Sequence, residues 1–98
     1  MFLTYLKYTL YDHSAMDWET YAWLKRGKRR KATLHLLKDS ERPLSTNEVK
    51  ARLKVALPQA SFTLSELRSK GLVECLNPKD KIGKLYRITK SGDVLLEV

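Results

Sequence analysis

The chain has 98 residues, 43% of them hydrophobic and 31% charged, enough for one domain that buries roughly 60 to 65% of its unfolded surface and unlike a disordered or membrane-embedded protein. The formal net charge of +8 favours polyanionic partners. The single cysteine, Cys75, excludes an intrachain disulfide, argues against a zinc site built on cysteine pairs, and suits a reducing cytoplasm.

The opening stretch, MFLTYLKYTLY, is apolar, but Lys7 interrupts it and no small-residue cleavage site follows, so it does not read as a secretory leader. No stretch approaches the length of a membrane span, and no membrane partner is expected. Helical and strand spacings both run through residues 2–11. Five of the nine aromatics, Phe2, Tyr5, Tyr8, Tyr11 and Trp18, lie in the first 18 residues. Residues 1–16 are therefore read as an aromatic N-terminal extension, used either as a homodimer contact or for packing within the monomer. Residues 17–98 form the domain proper.

Ser14 and Asp17 make a weak capping box, and Trp18, Tyr21, Ala22 and Leu24 follow at helical spacing. Residues 25–31 then read KRGKRRK, six cations broken only by Gly27. Residues 1–24 carry one base and three acids (−2), this run carries +6, and the remainder carries twelve bases against eight acids (+4). A helix resumes in KRRKATLHLLKD, with Ala32, Leu34, Leu36 and Leu37 as its apolar face and Pro43 beyond its end.

Ser45 and Glu48 form a Ser-x-x-Glu capping box for a two-turn helix carrying Val49 and Leu53. Pro58 suits the first turn of the next helix, whose Ala60, Leu64 and Leu67 form one stripe and whose Gly71 stands where a C-terminal cap belongs. LVECL and KLYRI read as a hairpin around NPKDKIG, with Tyr86 and Ile88 on one face. Thr89 is placed to cap a last turn from which Val94, Leu95 and Val98 pack back.

Three helices followed by a hairpin is the order of a winged helix-turn-helix, an α+β and mostly helical fold with a three-helix core and a two-stranded wing. The segment Leu64-x-x-Leu67-x-x-x-Gly71-Leu72-Val73, with Tyr86-x-Ile88-Thr89-x-x-Gly92 after the hairpin, closely resembles winged-helix regulators of the arsenic-repressor and MarR types. RGKRRKATLHLL also resembles the first helix of small archaeal regulators of this superfamily. The resemblance covers about residues 18–96. It implies a transcriptional regulator that binds double-stranded DNA as a dimer, with the third helix in the major groove and the wing on the backbone or minor groove. The cysteine clusters of metal-sensing members are absent, and no pattern points to a particular effector ligand.

On that frame, Gln59, Ser61, Phe62, Ser65 and Arg68 lie off the apolar stripe as candidate base contacts: Gln and Arg suit bidentate base edges, and Phe suits a thymine methyl. Ser69, also off the stripe, is a candidate for the backbone. Ser45, Thr46 and Asn47 stand at a helix N-terminus, where they serve either a phosphate or plain capping. Lys79, Lys81 and Lys84 on the wing, with Arg87 on its return strand, are candidate phosphate contacts. Arg29 and Arg30 oppose the dipole of their helix, so they either meet a flanking phosphate or snorkel over apolar neighbours. His13 and His35 have no ligand partners at metal spacing, and no nucleophile elbow, phosphate loop or paired-carboxylate motif supports catalysis. Neither a cofactor nor a metal is expected. Phe62 on a polar face keeps a second reading open, a winged helix that grips another protein rather than DNA.

Overall fold

The computed structural model describes residues 18–97. The expectations for the aromatic extension, its dimer contact, the Ser14–Asp17 cap, His13 and the packing of Val98 fall outside the described residues. Helix α1 spans Trp18–Arg26 and α2 spans Lys28–Asp39, with Gly27 as the extended N-cap between them. Strand β1 (Leu44–Ser45) leads directly into α3 (Thr46–Leu53), and α4 follows at Leu57–Ser69. Strands β2 (Val73–Cys75) and β3 (Leu85–Ile88) frame the wing, and α5 (Lys90–Glu97) ends the described chain.

Each boundary has a local cause. At α3 the capping box is complete: the Glu48 N–H donates to Ser45 Oγ over 3.2 Å, and the Ser45 N–H donates to Glu48 Oε1 over 3.0 Å. Lys54 ends α3 in the left-handed region at φ 57°, turning the chain towards α4. Helix α4 closes in a Schellman motif, with Gly71 at φ 78° and the N–H groups of Gly71 and Leu72 donating to the carbonyls of Arg68 and Leu67. The Thr89 hydroxyl accepts from the Gly92 N–H at 3.2 Å, so this residue caps α5 as its position suggested, although α5 runs for two turns rather than one.

The sheet is antiparallel in the order β1-β3-β2, with Leu44 opposite Tyr86 and Val73 opposite Ile88. The sequence predicts only the two wing strands; β1 is two residues long and exists through its pairing with β3, a long-range partnership that no local pattern announces. The core gathers Leu34 and Leu37 from α2, Leu44, Val49 from α3, Ala60, Leu64 and Leu67 from α4, and Leu72, Val73, Tyr86 and Leu95. One face departs from expectation. On α2, Ala32 is exposed and Thr33 is buried beside Leu34. Thr33 tolerates the interior because its hydroxyl donates to the Arg29 carbonyl one turn back at 2.8 Å, leaving no polar group unpaired.

Candidate nucleic-acid interface

Helix α4 sets the geometry of the site. Ala60, Thr63, Leu64 and Leu67 are buried, and that inner stripe turns Gln59, Ser61, Phe62, Ser65, Arg68 and Ser69 outward, all exposed. Gln59 also closes its own helix, since its side-chain oxygen accepts the Ala56 N–H at 3.1 Å. The Ser69 hydroxyl donates to the Glu66 carbonyl at 2.8 Å. Phe62 is 63% exposed and lies outside the core cluster.

Tyr86 links this helix to the start of α3. Burial pushes its phenol up and Cys75 adds to the shift, while Arg68 and the Thr46 side chain pull the other way. Arg68 and Thr46, expected separately as a base contact and a backbone contact, thus both act on the same phenol. At the α3 N-terminus Ser45 is committed to capping, whereas Asn47 is exposed. Glu48 sits there as well, paired with Arg42; the hydrogen bonds from that guanidinium and from the Ser45 N–H hold its carboxyl well below the usual range, at about 2.

The wing is braced by one side chain that no sequence motif marks. Asn77 Oδ1 accepts the Leu85 N–H at 2.8 Å, while its Nδ2 donates to Asp80 Oδ2 at 2.9 Å and to the Gly83 carbonyl at 3.1 Å. Around that bracket Lys79 and Lys81 are exposed, Lys84 is half-buried, and Ile82 at the tip is 91% exposed. Arg87 points out of the sheet but is paired across the strands with Glu74 at 2.6 Å, so its charge is already met.

The cationic run divides. Lys28 and Arg29 are exposed, whereas Arg30 is half-buried with its guanidinium 4.1 Å from the centre of the Trp23 ring. Arg30 also donates to the Trp23 carbonyl at 2.7 Å and lies 3.7 Å from the Glu66 carboxylate of α4. Lys70, just past the end of α4, approaches the same ring at 5.3 Å. An open cleft of about 380 Å³ joins this region to α4, lined among others by Arg26, Lys28, Arg29, Phe62 and Glu66. The run is therefore continuous with the exposed face of α4. Among the described residues, no group of His, Cys, Asp or Glu side chains is placed to hold a metal, and no helix is long and apolar enough to cross a membrane. His35 is exposed, and Cys75 is half-buried with its Sγ 3.8 Å from Asn77 Oδ1.

Neither a family model nor a curated protein sequence matches the chain. Solved structures do. The reduced form of MarR from E. coli is 32% identical with a TM-score of 0.65, over 81% of this chain and 58% of its own. A MarR-family transcriptional regulator from Rhodococcus is 27% identical with a TM-score of 0.62, over 71% of this chain and 50% of its own. MepR from S. aureus, solved as a DNA complex, shares the fold at 23% identity and a TM-score of 0.65, over 91% of this chain and 77% of its own. The chain thus spans only half to three fifths of the first two regulators. With TM-scores of 0.62 to 0.65, the chain has the winged helix-turn-helix fold of these MarR-family structures.

Proposed function

We propose that the protein is a sequence-specific, double-stranded DNA-binding transcriptional regulator acting as a homodimer on a pseudo-palindromic site. The observation that carries this reading is the outer face of α4: six exposed side chains able to contact DNA stand on a helix whose inner face is fully committed to the core. Arg68 and Gln59 suit bidentate reading of guanine and adenine edges, Phe62 a thymine methyl, and Ser61 and Ser65 shorter contacts. Thr46, Asn47, Ser69 and Arg29 supply the flanking backbone contacts, with Lys79, Lys81 and Lys84 on the wing.

The cleft between the cationic run and Phe62 supports a phosphate path beside α4, because its lining combines three exposed cations with the open edge of that helix. The Rhodococcus protein, which shares this fold, is described as a MarR-family transcriptional regulator, and MepR was solved on DNA. The test is selection from random duplexes followed by anisotropy titration. A selected duplex should bind with a steep inverse dependence on salt and far more tightly than a scrambled one. Undetectable binding at low salt overturns the reading. The exposure of Phe62 and of Leu57 on the same helix favours, as the second reading, a protein partner. That alternative requires a stoichiometric co-purifying polypeptide and no salt-dependent DNA affinity.

A further inference from the structure

Ile82 is the most exposed of the large hydrophobic residues in the described chain, at 91%, and it is the one that stands at the tip of a loop. A single exposed apolar residue is ordinary on a protein surface. Its setting is not. The loop that carries it is fixed rather than slack: Asn77 ties it to Leu85, Asp80 and Gly83, the Asp80 N–H donates to the Asn77 carbonyl at 3.1 Å, and Gly83 turns the chain back at φ 76°. Lys81 precedes Ile82 directly, Lys84 follows two residues later, and Lys79 lies on the approach. Asp80, the one acid of the loop, is engaged by the Asn77 amide.

We infer that Ile82 is the wing's contact with the floor of the DNA minor groove, an apolar probe carried in by the flanking lysines and selective for A·T over G·C pairs. The inference rests on the DNA-binding reading above and assigns the specificity of its wing. The partner is chosen by charge and shape: an aliphatic tip surrounded by cations matches a narrow recess between two walls of phosphates better than it matches a flat acidic or a purely apolar surface. The minor groove is about 6 Å wide, which admits a short β-branched side chain with one preferred rotamer more readily than a long one. Its floor differs between base pairs chiefly by the guanine amino group, which an aliphatic side chain cannot hydrogen-bond and would desolvate. At A·T pairs that group is missing, so the side chain can close on the floor while Lys81 and Lys84 reach the phosphates of the two walls.

The experiment uses the full chain and the duplex obtained by selection, with the wing position located by minor-groove footprinting. Ile82→Ala and Ile82→Ser should each lower affinity about tenfold while leaving the salt slope unchanged, because no cation is removed; Ile82→Val should retain most of the affinity. Replacing the A·T pairs under the wing by G·C should cost the wild type a similar factor. Inosine·cytosine pairs, which lack the guanine amino group, should restore binding, and Ile82→Ser should be indifferent to all three. The high exposure of Ile82 keeps its substitution from disturbing the fold. Wild-type binding that is unaffected by Ile82→Ser, or G·C and inosine·cytosine duplexes that behave alike, would overturn the assignment while leaving DNA binding intact. Loss of self-association in Ile82→Ser with DNA affinity unchanged would instead place Ile82 between copies of the chain and equally overturn it. Absence of wild-type binding to every duplex overturns both readings.

Discussion

Gly92→Ala should destabilise the protein although it replaces the poorest ordinary helix former by the best. Gly92 lies in the first turn of α5, buried, with its backbone against the Leu72 carbonyl. A Cβ there would intrude on the Leu72 oxygen and lie 2.9 Å from Ile88 Cγ1 and 3.2 Å from the Leu72 carbonyl carbon, where ordinary contact begins at 3.4 Å. The Leu72 oxygen cannot yield easily, because it already accepts the Thr89 N–H at 3.0 Å. The helix must therefore move outward by about half an ångström, loosening that hydrogen bond and partly unpacking Val94 and Leu95. Overpacking of this kind costs about 1 to 3 kcal/mol. Against it stands a helix-propensity gain of up to ~1 kcal/mol. The net expectation is a loss of about 1 to 2 kcal/mol, or a Tm lower by roughly 5 to 10 °C for a domain of this size. Thermal unfolding followed by far-UV circular dichroism, with urea titration at 25 °C for the free energy, measures it. A Tm equal to or above that of the wild type would mean that propensity outweighs the contact, and the close approach of α5 to Leu72 would be refuted.

Glu48 ties stability to acid. Its folded carboxyl titrates at about 2 against an ordinary 4.5, so its stabilising contribution is complete above pH 4.5 and disappears as the pH falls towards 2. Glu48→Gln, which keeps the shape but not the Arg42 ion pair, should flatten the stability profile across that window; urea melts between pH 7 and 2 that run parallel for the two proteins would contradict it. On a selected duplex, Arg68→Ala should lower discrimination at one base pair by about 1 to 3 kcal/mol in competition titrations. Lys81→Ala should weaken all duplexes alike and reduce the salt slope by about one, so a sequence-dependent loss from Lys81→Ala would invert the two roles.

The three-helix core and wing were legible because each element announces itself locally. Ser45 and Glu48 mark the start of α3, the Ala60, Leu64 and Leu67 stripe orients α4, and Gly71 ends it. The orientation of α4 in turn fixed which of its residues face outward, so the exposed set from Gln59 to Ser69 followed from periodicity alone. What stayed hidden depends on partners that periodicity and capping patterns do not point to. Strand β1 needs β3, Arg87 meets Glu74 thirteen residues earlier, and the Asn77 bracket is a loop-closing set of bonds that composition does not encode. The signal for Ile82 was present, an aliphatic residue inside the basic turn DKIGK, but only the structure shows that the residue stands open above a loop tied together by Asn77.

The run KRGKRRK illustrates how a sequence count misjudges charge. Six cations suggest six units of attraction to phosphate, yet Arg30 is turned inward onto Trp23 and Glu66, where it fastens α1 to α4. The lone glycine of the run belongs to this arrangement: the Arg30 stem crosses Gly27 so closely that a Cβ there would lie 2.9 Å from Arg30 Cγ. Losing a half-buried cation–π stack and a charge-assisted hydrogen bond together should cost about 2 kcal/mol. Arg30→Met, with its similar stem, should therefore lower stability by about that amount, and Gly27→Ala by less, through displacement of the same side chain. Both should change the emission of Trp23, read in a Trp18→Phe background so that it is the sole indole. On DNA the two cations should separate. Arg29→Ala, which removes an exposed charge beside the cleft, should reduce the salt slope by about one, whereas Arg30→Met should leave it near the wild-type value. An Arg30→Met protein with unchanged stability and emission but a reduced slope would show that this guanidinium leaves Trp23 for a phosphate, and that all the exposed charge of the run serves the nucleic acid.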